Sequence, residues 1–246
     1  MGILFYVAMA SALLACNSPA EPEAAAHQPE PSPFQPFNPS VMNVLSDCEQ
    51  EFESISDERK QALRKLGLYV GSKASRGEAA DLVFICTHNS RRSHMSQIWA
   101  ATAAAHYGLS DFVRTHSGGT ESTAFNARSV AALRRQGFEI EETEGGTSTN
   151  PVYRVSVATG QTLDCFSKKY DHEGNPAANF AAVMTCSHAD KNCPNIPGAS
   201  LRVAVPYVDP KERDGQPDEA QAYDERARQI ATEMVFLMHE AAKARS

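Results

Sequence analysis

The sequence lacks any cluster of basic residues, and its 23 Lys and Arg against 30 Asp and Glu give a formal net charge of −7. A protein whose main partner is nucleic acid would present a basic patch, so this class is excluded as the principal function. No apolar run reaches the roughly 20 residues of a mature membrane-spanning helix, and no internal repeat is present. Any anion site must therefore be local, built from one loop and a few side chains.

The N-terminus differs from the rest of the chain. Residues 1–15 are uncharged and largely apolar, and Leu13, Leu14 and Ala15 precede Cys16. This ending resembles the lipobox of bacterial lipoproteins, which implies cleavage before Cys16 and acylation of its side chain. No Lys or Arg precedes the apolar stretch, which departs from that pattern. The alternatives are an ordinary secretory signal and a misassigned start codon.

Composition divides the chain into four segments. A lipoprotein-type signal peptide at 1–15 is followed by a proline-rich tether at 16–40, which has almost no periodicity. Residues 41–79 are expected to be a helical extension with Ser56 as a helix cap, and residues 80–246 the main domain. A lipid anchor places this domain at the cell envelope, facing the periplasm and touching the membrane only through the anchor. Without a genuine signal the protein is cytoplasmic.

Strands alternate with helices in the main domain. The predicted strands are 81–86, 112–119, 179–186 and 200–210, and the predicted helices are 91–108, 122–137 and 217–244. This pattern predicts an α/β fold with a doubly wound four-stranded parallel sheet and helices on both faces. Residues 153–168 predict a small hairpin insertion that turns near Thr159. Ligands of such sheets bind at the carboxyl ends of strands, where Cys86, Cys186 and Asp209 are expected.

Cys86 stands where the first strand ends and a helix begins. The intervening loop aims several backbone N–H groups at one point, and the helix dipole adds to its attraction for an oxyanion. The same field favours a cysteine thiolate, Arg92 can fork two hydrogen bonds onto a tetrahedral oxyanion, and Ser93 can donate to the thiolate. The expected substrate-binding residues are Thr87, His88, Asn89 (in a left-handed conformation), Ser90 and Arg91. The alternative is a passive buried thiol.

The segment VFICTHNSRRSHMSQ, residues 83–97, resembles the phosphate-binding loop of the low-molecular-weight protein tyrosine phosphatase superfamily, which includes the thioredoxin-coupled arsenate reductases. Residues 117–140 and 183–210 are similar to later segments of that family, in the same order. The resemblance spans roughly residues 80–240. It implies an enzyme of the phosphatase fold that acts on a tetrahedral oxyanion.

The resemblance also implies residue roles. Cys86 is the nucleophile, Arg92 clamps the oxyanion and Asp209 is the general acid, since a carboxylic acid on an opposing loop can protonate the departing oxygen. In the reductase branch Cys186 attacks the Cys86–arsenic adduct, and Cys193 then forms a disulfide with Cys186. A thioredoxin-like protein supplies the dithiol reductant. No tightly bound cofactor and no metal are expected.

The first choice is therefore reduction of arsenate to arsenite. The alternative is a phosphatase that hydrolyses phosphotyrosine or another phosphomonoester, including that of a phosphoprotein. Lys211 and Glu212 follow Asp209-Pro210, where many phosphatases of the family have tyrosines, and this favours a small inorganic anion such as arsenate or phosphate. Export favours the phosphatase, because cytoplasmic thioredoxin is absent outside the cytoplasm. A third possibility is an anion-binding lipoprotein without turnover.

The spacing of the two later cysteines sets a geometric condition. Seven residues of helix separate Cα atoms by about 10 Å, whereas a disulfide requires about 7 Å or less. Residues 186–193 are therefore expected to be a loop or to unwind on oxidation. Other interpretations are a static disulfide, or a zinc site formed by Cys186, His188, Asp190 and Cys193. Trp99 is expected to pack in the core, His94 to lie on a helix surface, and Cys48 and Cys165 to be passive thiols or a disulfide.

Overall fold

The computed structural model describes residues 1–2, 37–193 and 195–245. The described residues from Phe37 onward belong to one compact unit. The predicted signal peptide beyond residue 2, the lipidation site Cys16 and the tether up to residue 36 lie outside the described residues.

The described part of the chain has six helices and seven strands. The helices are α1 (Pro39–Gln50), α2 (Asp57–Ser75), α3 (Arg92–His106), α4 (Ala127–Arg135), α5 (Ser187–Asn192) and α6 (Glu219–Arg245). The strands are β1 (Ala80–Cys86), β2 (Val113–Gly119), β3 (Ile140–Thr147), β4 (Asn150–Ala158), β5 (Gln161–Cys165), β6 (Phe180–Met184) and β7 (Ala199–Ala204). Short 3₁₀ turns lie at 52–54, 110–112 and 210–213.

The main sheet has four parallel strands in the order β2-β1-β6-β7. β1 is buried along its whole length, as expected for a central strand covered on both faces. Its last residue, Cys86, pairs with Gly119 at the end of β2. The same edge therefore collects the carboxyl ends of the strands, and the predicted fold class is confirmed.

The two faces of this sheet are covered unequally. On one face α2 and α3 pack on the strands and α6 packs on these two helices, and together they form the main core with side chains such as Phe84, Trp99 and Leu237. The other face holds a smaller cluster, in which the short α5 and Ile196 cover alternate residues of β1 and β6. Cys86 and Cys186 both belong to that smaller cluster.

The insertion is larger than the predicted hairpin. β4 and β5 form the expected hairpin around Thr159, but β3 pairs with β4 and completes a three-stranded antiparallel sheet. The sequence concealed β3 because only its first residue, Ile140, is buried, so no alternation of apolar residues marks it.

Side-chain caps set the first residues of two helices. Ser56 accepts a hydrogen bond from the Arg59 N–H and begins α2, as predicted. α4 begins five residues later than predicted, because the side chain of Asn126 caps it by accepting from the Arg128 N–H. The preceding residues are thereby free to contact the loop after Cys86. Among the described residues no helix is long and apolar enough to span a bilayer.

Candidate active site

Cys86 ends β1 with its side chain against the loop that leads into α3. The residue is 3% exposed, and its Sγ lies 3.1 Å from Ser93 Oγ. Within the described residues no side chain caps the first turn of α3, so the N–H groups and the positive dipole end remain for another acceptor.

The loop Thr87–Arg91 turns its carbonyl groups outward. The carbonyl oxygens of residues 86, 87, 88 and 90 accept hydrogen bonds from segments outside the loop. The donors come from two segments: residues 120–126 donate to all four oxygens, and Ser167 Oγ donates to His88 O. A loop whose carbonyl oxygens are occupied from outside presents its N–H groups to the concave side, which is how backbone anion sites are formed. The loop is therefore built for an oxyanion.

Asn89 fixes the hydrogen-bond direction beside the sulfur. It is fully buried and has φ +45°, the left-handed conformation expected from the sequence. Its Oδ1 accepts from the Lys168 N–H at 2.8 Å, and its Nδ2 donates to Ser93 Oγ at 2.9 Å. Because the Ser93 oxygen already accepts this bond, its own hydrogen is available to the Cys86 sulfur.

Two glycines let the neighbouring chain approach the loop. A Cβ on Gly119 would lie 2.1 Å from Glu121 O and 2.7 Å from Asn89 N, and one on Gly118 would lie 2.3 Å from Tyr170 Cα. These are backbone atoms that cannot move aside cheaply. A side chain at either position would displace the chain that supports the loop.

Arg92 and Asp209 meet across the site. Arg92 Nη2 donates to Asp209 Oδ2 at 2.6 Å, and Nη1 donates to Tyr207 O at 2.9 Å. Both side chains are 12% exposed. Arg92 Nε is buried and has no protein partner among the described residues. The guanidinium thus holds the predicted general acid, and its Nε remains a donor for an anion.

Two of the predicted substrate-binding side chains point elsewhere. The Arg91 guanidinium donates to Tyr223 OH at 2.9 Å and lies 3.6 Å from Asp214 Oδ2, so it joins the loop to α6. His88 is partly exposed, with Nε2 at 3.5 Å from Glu121 Oε2. The Arg91 Nε also lies 3.9 Å from Asp209 Oδ1, so this guanidinium flanks the predicted general acid, whereas the His88 side chain pairs with Glu121 instead.

Cys186 lies beside the loop of Cys86. Thr87, the residue after Cys86, has its Oγ1 3.5 Å from Cys186 Sγ and 3.2 Å from His188 Nδ1. Cys186 is 1% exposed and caps α5, with Sγ accepting from the Ala189 N–H. The second predicted thiol therefore contacts the loop that follows the nucleophile, through the side chain of Thr87.

Cys193 lies at the other end of α5, and like Cys186 it belongs to the cluster that contains Cys86. With both thiols free, α5 occupies the interval between them, so of the two expected alternatives, a loop or a segment that unwinds on oxidation, the second applies. Arg202 secures the end of the helix by donating to the carboxylate of Asp190 at 2.6 Å and to Cys193 O at 3.3 Å. A Cys186–Cys193 disulfide therefore requires α5 to unwind.

His94 differs from the surface residue expected. It is fully buried, stacks on Phe125 with ring centres 4.2 Å apart, and lies 3.2 Å from Ser117 Oγ through Nδ1. Burial, with a contribution from the charge of Lys168, lowers the pKa of His94 to about 3. This imidazole is a neutral support behind the loop.

The remaining cysteines and Trp99 are structural. The five cysteines that the structure describes are all free. Cys48 and Cys165 are both fully buried, and burial raises the pKa of each thiol, that of Cys165 to about 12. Trp99 is buried and donates to Gln136. Cys48, Cys165 and Trp99 therefore contribute to packing of the core.

Sequence reasoning missed the segment that follows β5. Ser167 donates to His88 O at 3.0 Å and accepts from the Thr123 N–H at 2.8 Å, and the Lys168 N–H orients Asn89. No motif in the sequence marks these residues, because the bonds depend on how the inserted sheet returns to the loop.

The chain is similar to several known proteins. The family model of the low molecular weight phosphotyrosine protein phosphatase matches residues 81–154. The arsenate reductase of Staphylococcus aureus (strain Newman) is 30% identical over 117 residues, 47% of this chain and 67% of that protein. The arsenate reductase of Bacillus licheniformis is 27% identical over 147 residues, 60% and 86% respectively. The solution structure of a low molecular weight protein tyrosine phosphatase from Bacillus subtilis is 15% identical in sequence. The match covers 68% of this chain and 99% of that chain, with a TM-score of 0.45.

The protein belongs to the low-molecular-weight protein tyrosine phosphatase superfamily, and its curated relatives lie in the arsenate reductase branch. It is thus an enzyme of this superfamily, which confirms the assignment made from residues 83–97. The family model covers Cys86 and Arg92 and ends before Cys186 and Asp209.

Proposed function

We propose that the protein reduces arsenate to arsenite, with Cys86 as nucleophile and Cys186 and Cys193 as the thiols that complete the reduction. The main support is the 3.5 Å contact between Cys186 Sγ and Thr87 Oγ1, which puts a second buried thiol beside the loop of the first. A phosphatase does not need this thiol. The relatives named arsenate reductase agree with the proposal.

The proposed reaction has three steps. The Cys86 thiolate attacks arsenic(V), and one arsenate oxygen leaves as water after Asp209 gives it a proton. Cys186 then attacks the Cys86 sulfur, and arsenic leaves with the electron pair of the S–As bond as arsenite. Cys193 finally attacks Cys186, which frees Cys86 and leaves a Cys186–Cys193 disulfide. The two thiols of this disulfide have supplied the two electrons.

The last step requires a conformational change in α5. Because α5 separates the two cysteines, its unwinding carries Cys193 to Cys186 and exposes the new disulfide. A thioredoxin-like dithiol protein is the proposed reductant. If the domain is exported, that reductant must be an exported one.

The second candidate is phosphomonoester hydrolysis, because the 2.6 Å contact with Arg92 places the Asp209 carboxyl group where it can protonate a leaving ester oxygen. The same nucleophile, anion loop and acid suffice to form a phosphocysteine and release it to water. Phosphorylated proteins are its possible substrates.

Two variants separate these functions. Cys186→Ser and Cys193→Ser should each abolish multiple-turnover arsenite production, while p-nitrophenyl phosphate hydrolysis stays close to wild type. Cys86→Ser is the control, in which both activities are lost. If both variants still reduce arsenate at the wild-type rate, the thiol relay is wrong.

We also propose that the protein is anchored at the cell envelope through an acylated Cys16. The Leu-Leu-Ala-Cys sequence and the proline-rich tether support this proposal. Cells fed a palmitate analogue should label the wild-type protein and leave Cys16→Ser unlabelled. Equal labelling of both, or of neither, contradicts the anchor.

A further inference from the structure

Arg59 lies in the first turn of α2, ahead of the region that the family model matches. Its side chain is 18% exposed and makes three contacts. Nη2 donates to Pro206 O at 2.5 Å, Cζ lies 5.0 Å from the centre of the Tyr207 ring, and Nε lies 3.3 Å from Glu233 Oε1. One guanidinium thus joins α2, α6 and the segment that leads to Asp209.

Tyr207 connects these contacts to the active site. Its carbonyl accepts from Arg92 Nη1 at 2.9 Å, and the same guanidinium donates to Asp209 two residues further on. The Tyr207 N–H donates to Thr185 O at 3.1 Å. Arg59 holds the ring and the preceding carbonyl, so its loss would free the segment that places both the acid and the Arg92 partner.

Glu233 makes the arrangement specific for arginine. This carboxylate is 3% exposed and accepts from Gln229 Nε2 at 3.1 Å. A buried carboxylate that loses its cation is costly. A lysine at position 59 can supply the charge but not the flat fork that bonds Pro206 and stacks on Tyr207 together.

We propose that Arg59 is a positioning residue for the general-acid loop, holding residues 206–209 so that Asp209 and Arg92 face the bound oxyanion. The proposal rests on the proposed role of Asp209 as proton donor. Through Arg59 the helical extension, which lies outside the residues that the family model matches, contributes to catalysis.

The first test is the dependence on the leaving group. Arg59→Met should lower kcat/KM for phenyl phosphate by about 100-fold, the lower end of the range of general-acid contributions. The loss with p-nitrophenyl phosphate should be several-fold smaller, because nitrophenolate leaves with little help from a proton. Arg59→Lys should fall between wild type and Arg59→Met. A merely structural role would lower both rates equally.

Arg64→Met is a matched control on the same helix. Arg64 Nε lies 3.2 Å from Glu240 Oε2 of α6, and its Cζ lies 5.5 Å from the Phe236 ring. It therefore makes the same kinds of contact as Arg59 but none with residues 206–209. This control should keep the wild-type ratio of the two esters.

Hydrogen–deuterium exchange gives a readout that does not require turnover. Residues 203–214 should exchange faster in Arg59→Met than in wild type or Arg64→Met. Unchanged exchange in this segment, or an equal loss with both esters, overturns the positioning role. If the wild-type protein hydrolyses neither ester, the second candidate function fails, and the exchange comparison alone decides whether Arg59 holds the loop.

Discussion

Asn89 determines the hydrogen-bond direction next to the reactive sulfur. Its left-handed backbone lets the side chain face inward, where the Lys168 N–H fixes the amide so that Nδ2 donates to Ser93. The Ser93 hydrogen is then directed to Cys86 Sγ at 3.1 Å. A hydroxyl oriented in this way stabilises the thiolate both before attack and when it leaves. The state of the sulfur thus depends on Asn89, which acts on it through the hydroxyl of Ser93.

Gly119→Ala tests the close packing around this loop. The new Cβ would meet backbone oxygen and nitrogen atoms at 2.1–2.7 Å, so the loop must shift. A displacement of about 1 Å can cost about 100-fold in rate, and kcat/KM for p-nitrophenyl phosphate should fall by that order. Gly145→Ala is the control, because its Cβ would meet only side-chain atoms at 3.3 Å or more. Wild-type rates in Gly119→Ala would refute the tight support of the loop.

His94 should make stability depend on pH. Its pKa is about 3 in the folded protein because of burial and about 6.5 in an unfolded chain. Between these values the unfolded state binds a proton that the folded state does not, so acid destabilises the fold. From pH 7 to pH 5 this one group should remove about 2 kcal/mol of unfolding free energy. Urea denaturation at pH 7 and at pH 5 measures this loss of unfolding free energy. In His94→Asn the loss should be smaller than in wild type by about 2 kcal/mol, and an equal loss in the two proteins would contradict the assignment.

At the scale of elements, α5 controls the relation between the two later thiols. Six residues of helix separate Cys186 at its N-terminus from Cys193 at its C-terminus. Helices this short have little intrinsic stability, so external contacts such as those of Arg202 keep α5 formed. The element is suited to unwind when a disulfide replaces those contacts.

Arg202→Met should therefore favour oxidation. Loss of the charged hydrogen bond to Asp190, about 1.5 kcal/mol, should raise the equilibrium constant for the Cys186–Cys193 disulfide about tenfold. Titration with glutathione, read by thiol labelling and mass spectrometry, measures this constant. Arg154→Met, which removes an exposed pair with Asp164, is the control. Equal constants for both variants would show that Arg202 does not restrain α5.

At the scale of the molecule, the helices before β1 belong to the fold. Leu45, Leu63, Leu66 and Val70 are fully buried in the main core. Gly71 lets α2 approach α6 so closely that a Cβ there would lie 2.6 Å from Ala241 O. The catalytic part of the chain is therefore not independent of its N-terminal helices.

Truncation measures this dependence. Deletion of residues 1–79 exposes the partners of four buried aliphatic side chains, worth about 6–12 kcal/mol at 1.5–3 kcal/mol each, which equals most of a typical domain's stability. The shorter chain should lose its cooperative transition by calorimetry. A cooperative transition near the wild-type temperature would show that α1 and α2 are dispensable.

The sequence was sufficient for features that depend on local pattern. The buried strand ending at Cys86, the left-handed Asn89 and the Ser56 cap are each set by residue type and near neighbours. β3, the buried His94 and the hydrogen bonds of Ser167 to the loop were not predictable, because they depend on which distant segments meet. Arg59 is the clearest case, since an arginine in a helix is ordinarily a solvated residue. Its contacts arise only from the packing of α2 beside the chain before Asp209.

The most direct measurement is a single turnover of Cys193→Ser with arsenate and no added reductant. The proposed relay predicts one arsenite per protein, a mass decrease of about 2 Da for the oxidised pair of thiols, and a peptide map with Cys86 joined to Cys186. Cys186→Ser should give no arsenite under the same conditions. Arsenite formation without a Cys86–Cys186 disulfide, or that disulfide absent while Cys86 remains reactive, would contradict the relay.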